Sequence, residues 1–285
     1  MRVCETVATM RAECAALRYG GRRLGLVPTM GALHEGHLSL LRAARAQCDV
    51  VAASIFVNPT QFGPQEDLAK YPRPFARDSE LLRAESVDLL FAPSVEEMYP
   101  AGAVTYVNVE GLSERLCGRS RPGHFRGVAT VVSKLFHVVQ PDVAFFGQKD
   151  AAQVAVIRAM VRDLLLPVEV VACPIVREAD GLALSSRNVY LNSEQRQQAL
   201  VLSRALLRVR ELYEGGEQDA ARLIAAGREE FSSQNGVRLD FLEIVNAESL
   251  ETLEFAEPGA LVAVAAFLGS TRLIDNLLLL ERDAD

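Results

Sequence analysis

The sequence predicts an α/β protein: a doubly wound parallel sheet flanked by helices, followed by a smaller α+β unit. Continuously apolar runs such as "DVVAASIFV" and "DVAFFGQ" alternate with helix-period segments over the first two-thirds of the chain. Strands apolar on both faces belong to parallel sheets covered by helices on each side. After "PVEVVACPIV" the order changes to helices and then strands with no helix between them, the pattern of an α+β unit. At 285 residues the chain exceeds one ordinary domain of about 100–200 residues. We therefore expect two units, residues 1–174 and 175–285, with the boundary near Pro174 and function concentrated at the seam.

Each element follows from its own stretch. "MRVCETVATMRAECAALR" breaks its apolar positions with Glu5, Arg11 and Glu13 and reads as an amphipathic surface helix, not a signal or an anchor. "RLGLVPTM" is a strand leading into the helix "HLSLLRAARAQC", and "DVVAASIFV" is a strand followed by the helix "RDSELLRAES". "VDLLFAP" and "DVAFFGQ" supply further strands, the second followed by the helix "DAAQVAVIRAMVRDLLL". In the second unit "EQRQQALVLSRALLRVREL" and a later stretch are helical, and "LDFLEIV" and "ALVAVAAFLG" are strands.

Composition narrows the class. Hydrophobic residues make up 49%, enough for a sizeable core, yet no run of about 18 uncharged apolar residues offers a membrane span. The five cysteines (Cys4, Cys14, Cys48, Cys117 and Cys173) are scattered with no C-x-x-C pair, which suits a reduced, cytoplasmic protein. A net charge of −7 weighs against a broad nucleic-acid footprint while leaving room for a local anion pocket.

The stretch "VPTMGALHEGHLSLLRAAR" places His34 and His37 where a strand turns into a helix. Ligands of open α/β sheets bind outside the carboxyl ends of the strands. Gly31 and Gly36 allow close backbone approach, and a helix start offers unpaired N–H groups and a positive dipole end, so phosphate fits the site. Two imidazoles three residues apart can stabilise charge on a transferring phosphoryl group. Zinc and a purely structural helix start remain open alternatives; for zinc, no third ligand lies nearby in sequence.

Other blocks carry complementary chemistry. In "FFGQKDAAQ", Gly147 lets backbone approach a ligand, Lys149 is a mobile charge for phosphates and Asp150 can accept from ribose hydroxyls. "LSSRN" sets two hydroxyls, Ser185 and Ser186, beside the guanidinium of Arg187, a set suited to phosphate oxygens. The loop "VNPTQFGPQEDLAKYPR" is stiffened by Pro59, Pro64 and Pro72. Its Asn58 and Gln61 amides suit a small hydroxy acid, with Met30, Phe62 and Val132 covering an apolar part. "GRSRPGHFRGVATVVSKLF" carries Arg119, Arg121, His124 and Arg126, a local positive patch.

Taken together, "PTMGALHEGH", "FVNPTQFGPQEDLAKYPR", "GHFRGVATVVSKLF", "FFGQKDAAQ" and "LALSSRN" resemble, in order and spacing, the blocks of the pantothenate synthetase (pantoate–β-alanine ligase) family. That family lies in the nucleotidylyltransferase superfamily, whose H-x-G-H signature is shared with class I aminoacyl-tRNA synthetases. The resemblance implies a Rossmann-like domain that holds ATP and pantoate, and a smaller domain that closes over the active site. It implies ATP-dependent joining of (R)-pantoate and β-alanine through a pantoyl adenylate, releasing pyrophosphate and then AMP. Catalysis would rest on His34, His37, Lys149 and Arg187. ATP would lie along Met30, Gly31, His34, Gly36, His37, Gly147, Gln148, Lys149, Asp150, Val176, Leu184 and Ser185–Arg187. Pantoate would meet Gln61, Gln153, Asn58, Met30, Phe62 and Val132, with Gln61 also near β-alanine, and the 119–126 patch would run along the substrate cavity, with Arg121 and His124 assigned to it. Mg²⁺ would come with the nucleotide and not on protein ligands, and the chain would form a homodimer. The rival readings are a nucleotidylyltransferase that retains its nucleotidyl product and a non-catalytic adenine-nucleotide sensor. A tRNA synthetase would need a basic tRNA-binding region that this chain lacks.

Overall fold

The computed structural model describes residues 1–64, 66–232 and 234–280. Among these, six strands form one parallel sheet: β1 (Arg2–Cys4), β2 (Leu24–Thr29), β3 (Val50–Ile55), β4 (Leu89–Phe91), β5 (Val143–Gly147) and β6 (Glu169–Cys173). Their spatial order is β1-β4-β3-β2-β5-β6. The chain runs outward from β2 through β3 to β4, then returns past β2 to form β5 and β6. The strand order therefore reverses between β2 and β5, and the crevice at their carboxyl ends is the topological switch point where such sheets bind ligands.

The helices are α1 (Val7–Leu17), α2 (Glu35–Gln47), α3 (Phe75–Ala84), the one-turn α4 (Val95–Met98) and α5 (Cys117–Ser120), α6 (His124–Val139) and α7 (Ala151–Asp163). Strand alternation explains why both sheet faces are apolar. Leu24, Leu26, Ala144 and Phe146 pack with α1, α6 and α7, whereas Val27, Val143 and Phe145 pack with Leu38 and Leu41 of α2 and Leu82 of α3. Successive side chains point to opposite faces, so a strand sandwiched between helix layers must be apolar at every position.

The second unit contains α8 (Ser193–Gln198), α9 (Leu200–Glu214), α10 (Ala220–Ser232) and an antiparallel sheet of β7 (Val237–Val245), β8 (Leu261–Leu268) and β9 (Thr271–Leu278). Val262, Val264 and Ala266 of β8 pack with α9 and α10. Leu261, Ala263 and Ala265, on the alternate positions, join the core of the parallel-sheet unit. The small sheet is thus buried on both faces, which accounts for the unbroken "ALVAVAAFL".

Three expectations are corrected. The N-terminus is not all helix: Arg2–Cys4 add an edge strand beside β4, and α1 starts only after Thr6, whose hydroxyl accepts from Thr9 N at 3.2 Å. The single helix expected over 194–212 is two, α8 and α9, meeting at Ala199. β9 was not expected at all. Its centre, Asp275–Asn276, interrupts the apolar pattern, yet both residues are only 3% exposed because each finds partners across the molecule.

Candidate active site

The loop after β2 and the start of α2 bring the two histidines together. His34 is the N-cap of α2, and its Nδ1 accepts from Gly36 N at 3.2 Å, while His37 Nδ1 accepts from His34 N at 3.3 Å. The ring centroids lie 4.1 Å apart. A Cβ at Gly36 would sit 2.9 Å from the His34 ring, so the glycine is required by this packing. With both Nδ1 atoms accepting, the neutral rings carry their protons on Nε2. Burial, with Lys149 close by, pushes His34 down to about 4. Burial, then His34 and Lys149, pushes His37 down to about 3. Both shifts favour uncharged rings that donate N–H at neutral pH.

This has a stability consequence. His124 is also pushed down to about 4, by burial and by Arg121. An unfolded histidine titrates near 6.5, so as pH falls below that value the unfolded chain takes up protons that the folded chain refuses. Stability is thus complete well above pH 6.5 and declines as pH falls through that value, levelling off only where the folded rings titrate. At pH 5.5 each such ring costs about 1.4 kcal/mol. In denaturant titrations, His37→Asn should shrink the loss between pH 7.5 and 5.5 by about that amount. An unchanged loss would contradict the assignment.

β5 lies beside β2 and delivers the second block to the same crevice. Gly147, Lys149 and Asp150 line the cavity with His34, Gly36 and His37. The nearest carboxylate to Lys149 Nζ is Asp150 Oδ1 at 3.9 Å, although the Lys149 side chain is only 21% exposed. This largely buried, weakly paired cation faces the histidines.

The hairpin after β6 supplies the third wall. Leu184 N donates to Val176 O at 3.0 Å, and both side chains line the cavity with Ser185, Ser186 and Arg187. Ser185 Oγ accepts from Arg187 N at 3.2 Å. Arg187 is held along one edge, Nε to Asp67 Oδ2 at 3.1 Å and Nη2 to Asp67 Oδ1 at 3.0 Å. Burial opposes its charge, but Asp67 more than offsets this and raises its pKa. Tyr71 also reaches across, with its hydroxyl 3.3 Å from Ser186 Oγ.

The amide pocket is built by the turn at 58–61 against α6. A Cβ at Gly127 would lie 2.4 Å from Thr60 O, so only glycine lets helix and turn meet. Asn58, 1% exposed, donates from Nδ2 to Gly127 O at 3.1 Å and to Gln61 Oε1 at 2.9 Å. Its Oδ1 accepts from the Tyr99 hydroxyl at 2.8 Å and the Thr60 hydroxyl at 3.0 Å. A carbonyl only accepts, so Asn58 Nδ2 must face Gly127 and Gln61 must turn its Oε1 toward Asn58. Gln61 Nε2 is left near Met30 Sδ, at 3.3 Å, as the donor on the cavity side. His124 accepts from Arg121 Nη1 on Nε2, at 3.0 Å, and donates from Nδ1 to Gln61 O, at 2.9 Å. Arg121 is in turn paired with Glu66 Oε2 at 2.5 Å. Gln153, Phe62 and Val132 complete the lining.

The structure therefore gathers into one cavity every residue singled out for catalysis or substrate contact except two. Gly31 lines a separate hollow beside Asp78 and Phe75. Gln148 turns its amide to Asn276 Oδ1, at 3.3 Å, so its side chain leaves the cavity. Asn58 is present, but its amide is fully engaged by protein and serves to orient Gln61. Arg119 pairs with Glu243, and Arg126 stacks on Tyr106 at 3.8 Å, so the basic patch is mostly tied to protein. The sequence reading missed Asp67, Glu66 and Tyr71 as partners, although all three lie in the loop it singled out. It also missed Asn276.

The whole chain resembles known proteins of one family. The family model "Pantoate-beta-alanine ligase" matches residues 2–278. The pantothenate synthetase of Koribacter versatilis is 62% identical over 279 residues, covering 98% of this chain and 96% of that protein. A crystal structure of pantothenate synthetase from Thermus thermophilus superposes with a TM-score of 0.93 at 52% identity, covering 99% of this chain and 100% of that one. A pantoate–β-alanine ligase from Francisella tularensis, described as complexed with "Beta-gamma ATP" and β-alanine, superposes with a TM-score of 0.80 at 33% identity, covering 98% of this chain and 97% of that one. On these grounds, the chain belongs to the pantoate–β-alanine ligase family.

Proposed function

We propose that the protein joins (R)-pantoate to β-alanine at the expense of ATP, giving pantothenate, AMP and pyrophosphate. The observation that carries the reading is one crevice containing two neutral Nε2–H donors, a weakly paired lysine and an arginine edge, next to an oriented amide donor. The first group suits a triphosphate and the second a small acid. The pantoate carboxylate attacks the α-phosphorus, the P–O bond to pyrophosphate breaks, and an acyl adenylate forms. His34, His37, Lys149 and the outward edge of Arg187 offset charge on the phosphate oxygens. The β-alanine amine then attacks the activated carbonyl, AMP leaves with the bonding electron pair, and the amine loses its proton. Apolar walls from Phe56, Val132 and Phe146 limit hydrolysis of the anhydride.

Mg²⁺ is the cation expected with the triphosphate. Among the described residues no group of three histidine, cysteine or acidic side chains gathers. The oxygen ligands of Mg²⁺ would come mainly from the nucleotide. Residues 1–174 and 175–285 are read as the two units that meet over the substrates. The family resemblance implies a homodimer. The reading places the chain in the cytoplasm, consistent with cysteines that are all free.

Incubation with ATP, pantoate, β-alanine and Mg²⁺ should yield AMP and pantothenate in equal amounts. AMP-free turnover, or a retained nucleotidyl product, would contradict the reading. Gln61→Ala should raise the KM for pantoate by about 10-fold or more, because the missing donor belongs to the acid, and change that for ATP little. Equal weakening of both substrates would show that the 58–73 loop had collapsed instead.

A further inference from the structure

We propose that Asn276, on β9 of the small sheet, is a positioning residue for Lys149, an inference that rests on the function proposed above. Asn276 is 3% exposed, and every polar atom of its side chain goes to two consecutive residues of the first unit. Its Nδ2 donates to Gln148 O at 3.0 Å and Lys149 O at 2.9 Å, and its Oδ1 accepts from Gln148 Nε2 at 3.3 Å. Both partners of Nδ2 are carbonyls, so the amide has one satisfying orientation.

Lys149 gains from such support because its ammonium is only weakly paired. Among the described residues its ammonium approaches one carboxylate, Asp150 at 3.9 Å, and its four-carbon stem has several rotatable bonds. Its reach is set by the backbone at 148–149, which Asn276 pins from the opposite unit. The neighbouring residue does the same for the other phosphate-facing segment. Asp275 binds Arg177 with two contacts, 2.6 Å to Nη1 and 2.8 Å to Nη2, and Arg177 Nη1 also donates to Gly181 O at 3.0 Å. Arg177 pairs with Ala183 in the hairpin that leads into Ser185–Arg187. Two consecutive residues of one strand thus hold the lysine turn and the Ser-Ser-Arg hairpin in register. Docking of the small sheet and placement of the charges become one event.

The test is a double-mutant cycle read by pantoate-dependent exchange of labelled pyrophosphate into ATP. Asn276→Ala should lower exchange about 10-fold, with the KM for ATP changed less than about 2-fold, as expected when a charge is displaced by a fraction of an ångström. In a Lys149→Ala background the same substitution should change exchange less than about 2-fold, because the group it positions is gone. An equal loss in both backgrounds, or wild-type exchange by Asn276→Ala, would overturn the proposal. Asn276→Ser retains one short donor and should fall between; should the alanine variant not fold, the cycle is read with serine by the same criteria. Exchange by the wild type with additive variants defeats only the positioning role, whereas no exchange by the wild type defeats the function as well.

Discussion

Lys149→Ala is expected to lower the rate of pantoate adenylation by about 10²-fold or more while the fold survives. Both halves follow from one geometry. The side chain is largely buried in a cavity it shares with His34 and His37, and among the described residues its one carboxylate approach is 3.9 Å. Removing it breaks no strong protein contact, so the unfolding midpoint should move little. A positive charge in a site shielded from water, aimed where phosphate charge develops, is worth far more than one in solvent. The histidines cannot take its place, because as neutral rings they donate N–H groups without a full charge. Single-turnover measurement of acyl-adenylate formation separates this from slow product release. A near-normal rate would remove Lys149 from the chemistry and shift the burden to Arg187.

The sheet was legible because its strands are covered on both faces. Val143–Phe146 alternate between the α2/α3 layer and the α6/α7 layer, so each position is apolar and the run stands out. β1 was hidden by its three-residue length. β9 was hidden by Asp275 and Asn276, which look like loop residues until their partners, Arg177 and the 148–149 carbonyls, are seen. Polar residues in a buried strand are tolerated only when bonded, and those bonds join segments about a hundred residues apart.

The site divides in the same way. His34, His37, Lys149 and Arg187 were legible because glycines, strand ends and helix starts confine such side chains to one crevice. Direct contact and support were not separable from residue type. Asn58 and Gln61 carry the same amide three residues apart, yet Asn58 engages all its polar atoms with protein and only Gln61 keeps a donor on the cavity side. The pairs Arg187–Asp67 and Arg121–Glu66 join a loop to distant segments, and no spacing rule announces them.

The central claim is that the acid is activated before the amine takes part. Among the described residues, the groups proposed to face the triphosphate and the amide pocket include none placed as a strong base for the amine, and an unactivated carboxylate resists attack by an amine. The mixed anhydride must therefore form first, reversibly while pyrophosphate is present. The measurement is isotope exchange with the enzyme, ATP, pantoate, Mg²⁺ and labelled pyrophosphate, with β-alanine left out. The account predicts that label enters ATP and that His37→Ala depresses this exchange in step with overall turnover. Exchange that appears only when β-alanine is added would contradict it, because activation would then not be an independent half-reaction.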